Sequence, residues 1–377
     1  MSIANLSTEL LQKIYEYSDL IDILHLSQTS KKNYNALRGR YIPILRQALD
    51  DAYGPIPSLA KLVISDDSKN NRSVISTGVR QNLTLDRILK VSDVPYISTM
   101  LLRKMVKLGR VASRWVEIFP QFRWRLDYQN RRFLRPHEQQ RLRQAIYNYW
   151  TYCNLFHDEI YTNYEPYPPP NHSEHSWITV PSPENSHDPR LRLIQSYTTI
   201  EIVQLNEFLQ HVVKLIEIDL YPSDSTIQAQ HNFTSQAVEK IAWGDGDQYR
   251  FLVKDLLKYD PLDLVYLYDQ TSTKLERAEY MFAQGLGFSS TPATLDQAIT
   301  CVNYRRRYHG LRSDDPIYQH AHLTHNFHHV RYQSPNSCIQ GENVKFGIVD
   351  HPDEESYSVD HPFNVDGKIV LWGGIHI

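Results

Sequence analysis

The chain has 377 residues, 40 basic and 43 acidic, a formal net charge of −3 and 3 cysteines. That length allows one large or two medium domains beyond any short module. The near balance of charge gives no global attraction to nucleic acid or an anionic membrane, either of which would need a local patch. Cys153, Cys301 and Cys338 are far apart and lack CxxC pairing, which argues against a disulfide framework and a cysteine zinc site and leaves reduced thiols. There is neither a basic region leading into an apolar stretch at the start nor an apolar run long enough to span a bilayer. The expected compartment is cytoplasm or nucleus, with no membrane partner.

From Leu6 to Leu37 the apolar residues recur at helical steps. A first helix is predicted from about Thr8 to Tyr17, capped by Ser7, with Glu9 in its first turn where a carboxylate suits the helix dipole. A break at Ser18-Asp19 leads to a second helix starting at Asp22 and carrying Ile23, Leu24 and Leu26, and Thr29-Ser30 caps a third that runs to about Leu37. Three short helices cannot bury all these side chains among themselves, so much of the stripe must meet the rest of the chain or another protein.

Helical spacing continues through Ile42, Leu45 and Leu49, followed by a turn at Gly54-Pro55-Ile56-Pro57 and a polar stretch, Ser65 to Ser73, that reads as a loop. Leu83 to Phe156 reads as mostly helical, interrupted near Pro95, Pro120 and Pro136; its clearest unit is His137 to Phe156, with an aromatic-rich face. Tyr161 to Pro189, dense in Pro, Tyr, Ser, Asn and His, is the candidate linker or long surface loop. Helical spacing returns from Arg190 to Leu220 and again at Gln248–Lys258, Pro261–Tyr268 and Lys274–Gly285, while Lys368–Trp372 is β-prone.

The string Leu6-Ser7-Thr8-Glu9-Leu10-Leu11, Ile14-Tyr15, Tyr17, Asp22-Ile23-Leu24, Leu26-Ser27, Thr29-Ser30-Lys31-Lys32 and Tyr34 resembles the F-box in order and spacing. Ser7 stands where that family usually has proline, which gives up a preset backbone angle but keeps a capping residue. The resemblance implies a three-helix module packed on Skp1, linked through it to a cullin and a ubiquitin-loaded E2. Carried over to this chain, the Skp1 contacts are Leu6, Leu10, Leu11, Ile14, Leu24 and Leu26, with Ser7 and Tyr17 at the rim. The implied function is substrate recognition for an SCF-type ubiquitin ligase, without catalysis by the chain itself. The alternative is a Skp1-bound regulator acting outside the ligase, in transcriptional control or trafficking. Fungal F-box proteins often have this layout, a degenerate F-box before a long helical region; the substrate is not implied.

Between Arg103 and Arg143 twelve basic residues alternate with Trp115, Phe119, Phe122, Trp124, Tyr128 and Phe133. Guanidinium groups suit phosphate and aromatic faces suit bases, so capture of a phosphorylated substrate or of single-stranded nucleic acid is chemically open, nucleic acid being the less favoured. The plain alternative is a basic helical face neutralised by acidic parts of the same protein, with the aromatics in its core. Arg123, Arg125, Arg131 and Arg132 are the candidate substrate contacts. His309, His320, His322, His325, His328 and His329 fit no common zinc spacing, and Trp243-Gly244-Asp245-Gly246-Asp247 lacks the lysine of a phosphate loop and reads as a turn. No cofactor, metal or catalytic set is expected. The expected fold is mainly α: a three-helix F-box over residues 1–45, a helical region over 46–165, a Pro-rich loop or linker over 166–189, and a second helical region over 190–377 ending in a short β segment.

Overall fold

The chain begins with three short helices, α1 (Thr8–Glu16), α2 (Leu20–Thr29) and α3 (Lys31–Gly39), and α4 (Tyr41–Tyr53) follows after a single residue. The computed structural model describes residues 6–70, 77–91, 97–125, 129, 131–157, 189–230, 233–285, 293–300, 302, 347–350, 370–371 and 375–376. The linker expected over 166–189, apart from Pro189, and the histidines between His309 and His329 lie outside them. The body comprises α5 (Ile56–Asn70), α6 (Thr77–Leu89), α7 (Thr99–Arg123), α8 (Pro136–Phe156), α9 (Pro189–Gln195), α10 (Thr199–Leu215) with a π turn at Ile216–Leu220, α11 (Asp224–Gln230), α12 (Ser235–Ile241), α13 (Asp247–Leu256), α14 (Pro261–Gln270) and α15 (Lys274–Ala283). The fold is mainly helical. None of these helices is long and apolar enough to cross a membrane.

Helix α8 sits against α5, α7, α10 and α14, so it buries side chains all round instead of one stripe, and Tyr147, Tyr149, Trp150 and Tyr152 are almost wholly enclosed. The tyrosine hydroxyls find partners as they go in: Tyr147 donates to the Tyr53 carbonyl at 2.7 Å, Tyr149 lies 3.0 Å from the Leu257 and Tyr259 carbonyls, and Tyr152 meets the Thr294 hydroxyl at 2.8 Å. Helices on both sides of the 158–188 segment thus share one core. Helix α7 approaches α4 at Gly109, where a Cβ would come within 2.5 Å of the Tyr53 ring, so a side chain there would push the helices apart.

Several boundaries differ from the sequence reading. The polar run from Ser65 to Asn70 continues α5, because its side chains bond to neighbouring elements. Ser65 accepts from Asn154 of α8 at 3.2 Å, Ser68 pairs with Thr84 at 2.8 Å, and Lys69 reaches Asp260 at 3.2 Å. Pro120 does not interrupt α7, which runs on to Arg123; Pro136 and Pro261 sit in the first turns of α8 and α14, where a missing N–H costs nothing. Gly244 and Gly246 take positive φ in the Trp243–Asp247 turn. At the far end Val370–Leu371 pairs antiparallel with Ile375–His376, a ladder of two-residue runs that cannot stand as a sheet alone and does not establish the expected β segment.

Two buried histidines each contribute to stability in a pH-dependent way. His157 Nε2 accepts from the Thr294 N–H at 3.2 Å, so it carries no proton; burial, with Lys258 and Arg190 adding, pushes its pKa down to about 3. His211 Nδ1 donates to the Glu207 carbonyl at 2.8 Å, and burial lowers its pKa to about 4. Below the ordinary histidine pKa of about 6.5 the unfolded chain takes up these protons and the folded chain does not. Each histidine therefore contributes stability that is present above that pH and lost as the pH falls, by about 1.4 kcal/mol per unit. Asp263 and Glu207, raised chiefly by burial, work in the opposite sense, so the readout is a variant. In urea melts between pH 7 and 5, His157→Gln, which keeps the acceptor, is expected to flatten the pH dependence by about that amount per unit; an unchanged slope would contradict a buried neutral imidazole.

Candidate functional site

Each helix of the N-terminal module is started by its own side-chain cap. Ser7 Oγ accepts from the Leu10 N–H at 3.4 Å, Asp19 Oδ1 from Asp22 at 2.7 Å, and Ser30 Oγ from Asn33 at 3.1 Å. Asp19 thus starts α2 at Leu20, two residues before the predicted start at Asp22. Bonds to its own backbone N–H and the Ser7 hydroxyl hold Glu9 below its usual pKa. Inward go Leu11, Tyr15, Leu20, Ile23, Ala36 and Leu37. Tyr15 donates to the Asn33 carbonyl at 3.1 Å, Gln12 to Ala36 at 3.2 Å, and Lys32 to the Leu6 carbonyl at 2.7 Å, tying α1 to α3. The module's core runs into that of the body through Ile44, Leu45, Ala48 and Leu49 of α4.

Outward the same helices carry apolar side chains that the fold leaves uncovered. Leu10, Ile14 and Tyr17 recur along one side of α1 with exposures of 51%, 36% and 91%, and Ile21 and Leu24 along α2 with 53% and 41%. Among the described residues, seven of the seventeen exposed large apolar side chains fall between Leu10 and Ile42, a concentration of the kind found where proteins dock. Of the sequence-predicted contacts, Ser7, Leu10, Ile14, Tyr17 and Leu24 are exposed, while Leu6 and Leu26 are half-buried against the core. Leu11 is fully enclosed, so the expectation that it touches a partner is corrected: next to Leu10 in sequence, it points the opposite way and packs the module. Ile21 and Tyr34 are exposed on the same helices and were not among the predicted contacts. Ile21 follows from its three-residue spacing to Leu24.

The arginine-rich stretch is mostly consumed within the chain. Arg132 grips the fully buried Glu138 with two bonds of 2.6 Å and lies 5.3 Å from the Trp124 ring. Burial opposes the Glu138 carboxylate, but Arg132 and the N–H groups of Arg135 and Asp350 outweigh it and hold the pKa below the usual range. Arg125 pairs with Asp219, and Arg123 stands 3.9 Å from Glu207. Trp115, Phe119 and Phe122 are in the core. Of the four candidate substrate contacts, Arg123, Arg125 and Arg132 thus face carboxylates of the chain itself, while Arg131 is exposed. Ligand atoms of His137, Glu138 and Asp350 lie within 4.8 Å of one another. Arg132, Arg135 and Arg141 bring positive charge onto the same carboxylates, so the group is ill suited to hold a metal cation.

A family model for the F-box domain matches residues 3–45, the span of α1 to α3 and the start of α4. No curated protein and no solved structure matches the chain. The capped helices, the enclosed Leu11–Tyr15–Ile23 core, the uncovered apolar side chains and the family match describe one module, and residues 3–45 of the chain are an F-box domain.

Proposed function

We propose that the chain is the substrate-recognition adaptor of an SCF-type ubiquitin ligase. It holds Skp1 through the F-box, reaches a cullin and a charged E2 through Skp1, and receives a protein substrate on the helical body. The observation that carries this reading is the row of uncovered apolar side chains on the family-matched module, Leu10, Ile14, Tyr17, Ile21 and Leu24. Helix-in-groove recognition needs such an apolar row. Ser7 sits at the rim, and Leu6 and Leu26 contribute from their half-buried positions. The chain would supply no chemistry of its own; its effect is to raise the concentration of substrate lysines beside the E2, in cytoplasm or nucleus.

Co-purification of the full chain with Skp1 and a cullin tests the reading. Both partners are expected in the complex. Skp1 without cullin would move the assignment to a Skp1-bound regulator outside the ligase, and the absence of both would remove the function while leaving the fold intact.

A further inference from the structure

Gly347–Asp350, the sequence Gly-Ile-Val-Asp, lies against α8, α10 and the residues leading into α8. No main-chain bond to another main-chain group holds these four residues among those described; side chains of the body meet them instead. Glu207 Oε2 accepts from the Ile348 N–H and Glu138 Oε1 from the Asp350 N–H, each at 2.7 Å. Arg141 donates to the Gly347 carbonyl and Arg132 to the Asp350 carbonyl, each at 3.3 Å. The Asp350 carboxylate is met by His137 Nε2 at 2.6 Å, Arg141 at 2.9 Å and Arg135 at 3.5 Å. Ile348 is 0% exposed and Val349 7%.

This is how a receptor reads a peptide: alternate amides taken by carboxylates, carbonyls by guanidinium groups, one acidic side chain by a cluster of cations, and two apolar side chains by the core. One receptor group is also held independently of the segment, since Arg132 and the Arg135 N–H fix the Glu138 carboxylate. Beside them Phe133 is 90% exposed and Arg131 is exposed, leaving an aromatic and a cation at the rim.

We infer that this groove is a peptide-binding site for substrates presenting two apolar residues followed by an aspartate, and that Gly347–Asp350 is its resident competitor. The inference deepens the adaptor reading and rests on it for the word substrate. Binding at the groove is measurable without Skp1, so either can fail alone.

The probe is a fluorescent peptide spanning residues 345–352 of the chain. Full-length Ile348→Ala, Asp350→Ala, in which the resident segment is weakened, is expected to bind it at least about tenfold tighter than wild type. The same peptide with asparagine in place of the aspartate, or addition of Arg141→Glu to the protein, should lose that gain. A folded double variant that does not bind, or binds both peptides equally, overturns the inference. If the variant does not fold, wild type decides: excess peptide should speed hydrogen exchange at the Ile348 and Asp350 amides with the helices unchanged, and no acceleration at saturating peptide would make the segment a fixed part of the core.

Discussion

A Leu10→Asp, Ile14→Asp double variant is expected to lose Skp1 by at least about 100-fold while unfolding within about 1 kcal/mol of wild type. The two side chains lie four residues apart on the outer side of α1, 51% and 36% exposed, and make no core of their own. Replacing them removes little packing. The first of the new carboxylates falls near the positive end of the helix dipole, and the two like charges cost only a few tenths of a kcal/mol. In a complex both carboxylates would enter an apolar groove without partners, where each costs several kcal/mol. The neighbouring Leu11→Asp is the contrast. Leu11 is 0% exposed beside Tyr15 and Ile23, so that change is expected to unfold the module and lose Skp1 for a different reason. Binding isotherms beside urea melts separate the two; wild-type affinity in the folded double variant would remove this face from the interface.

That neighbouring residues divide in this way marks how far the sequence could be read. Leu10, Leu11 and Ile14 all fit helical spacing, and spacing reports periodicity without saying which of two adjacent stripes faces inward. The enclosing side of α1 is set by Tyr15 reaching Asn33 and by α3 and α4 closing over it, which are contacts between elements. The helix over Ser65–Asn70 was hidden for the same reason: its serines and lysine look solvent-facing until Asn154, Thr84 and Asp260 are placed around them. Among the arginines, the local excess of positive charge is plain from the residues alone, while the carboxylates that absorb it, Glu207, Asp219 and Asp350, lie far along the chain. The alternative of an internally neutralised basic face was legible; its partners were not. The caps at Ser7 and Ser30 were legible, because capping is local.

Trp115→Ala is expected to cost about 3–5 kcal/mol, a large part of the roughly 5–15 kcal/mol that holds a domain together. Trp115 is 0% exposed on α7; its ring meets Phe208 of α10 at 5.1 Å and Phe122 at 6.5 Å, both edge-on, and its Nε1 donates to the Pro261 carbonyl of α14 at 3.0 Å. One side chain thus joins three helices, and its removal leaves a cavity that the enclosed Phe119 and Phe208 cannot fill without leaving their own packing. Trp115→Phe, which keeps an aromatic ring and gives up the indole bond, is expected to lose only about 1–2 kcal/mol. The F-box supplies the sharper test. Its core is continuous with that of the body through Ile44, Leu45, Ala48 and Leu49, so Trp115→Ala should lower the urea midpoint for loss of Skp1 binding together with the midpoint for loss of helix, in one transition. Two separated transitions, with Skp1 binding outlasting the body, would mean that α4 joins two thermodynamically independent units, and that the shared core adds little to holding the docking face in shape.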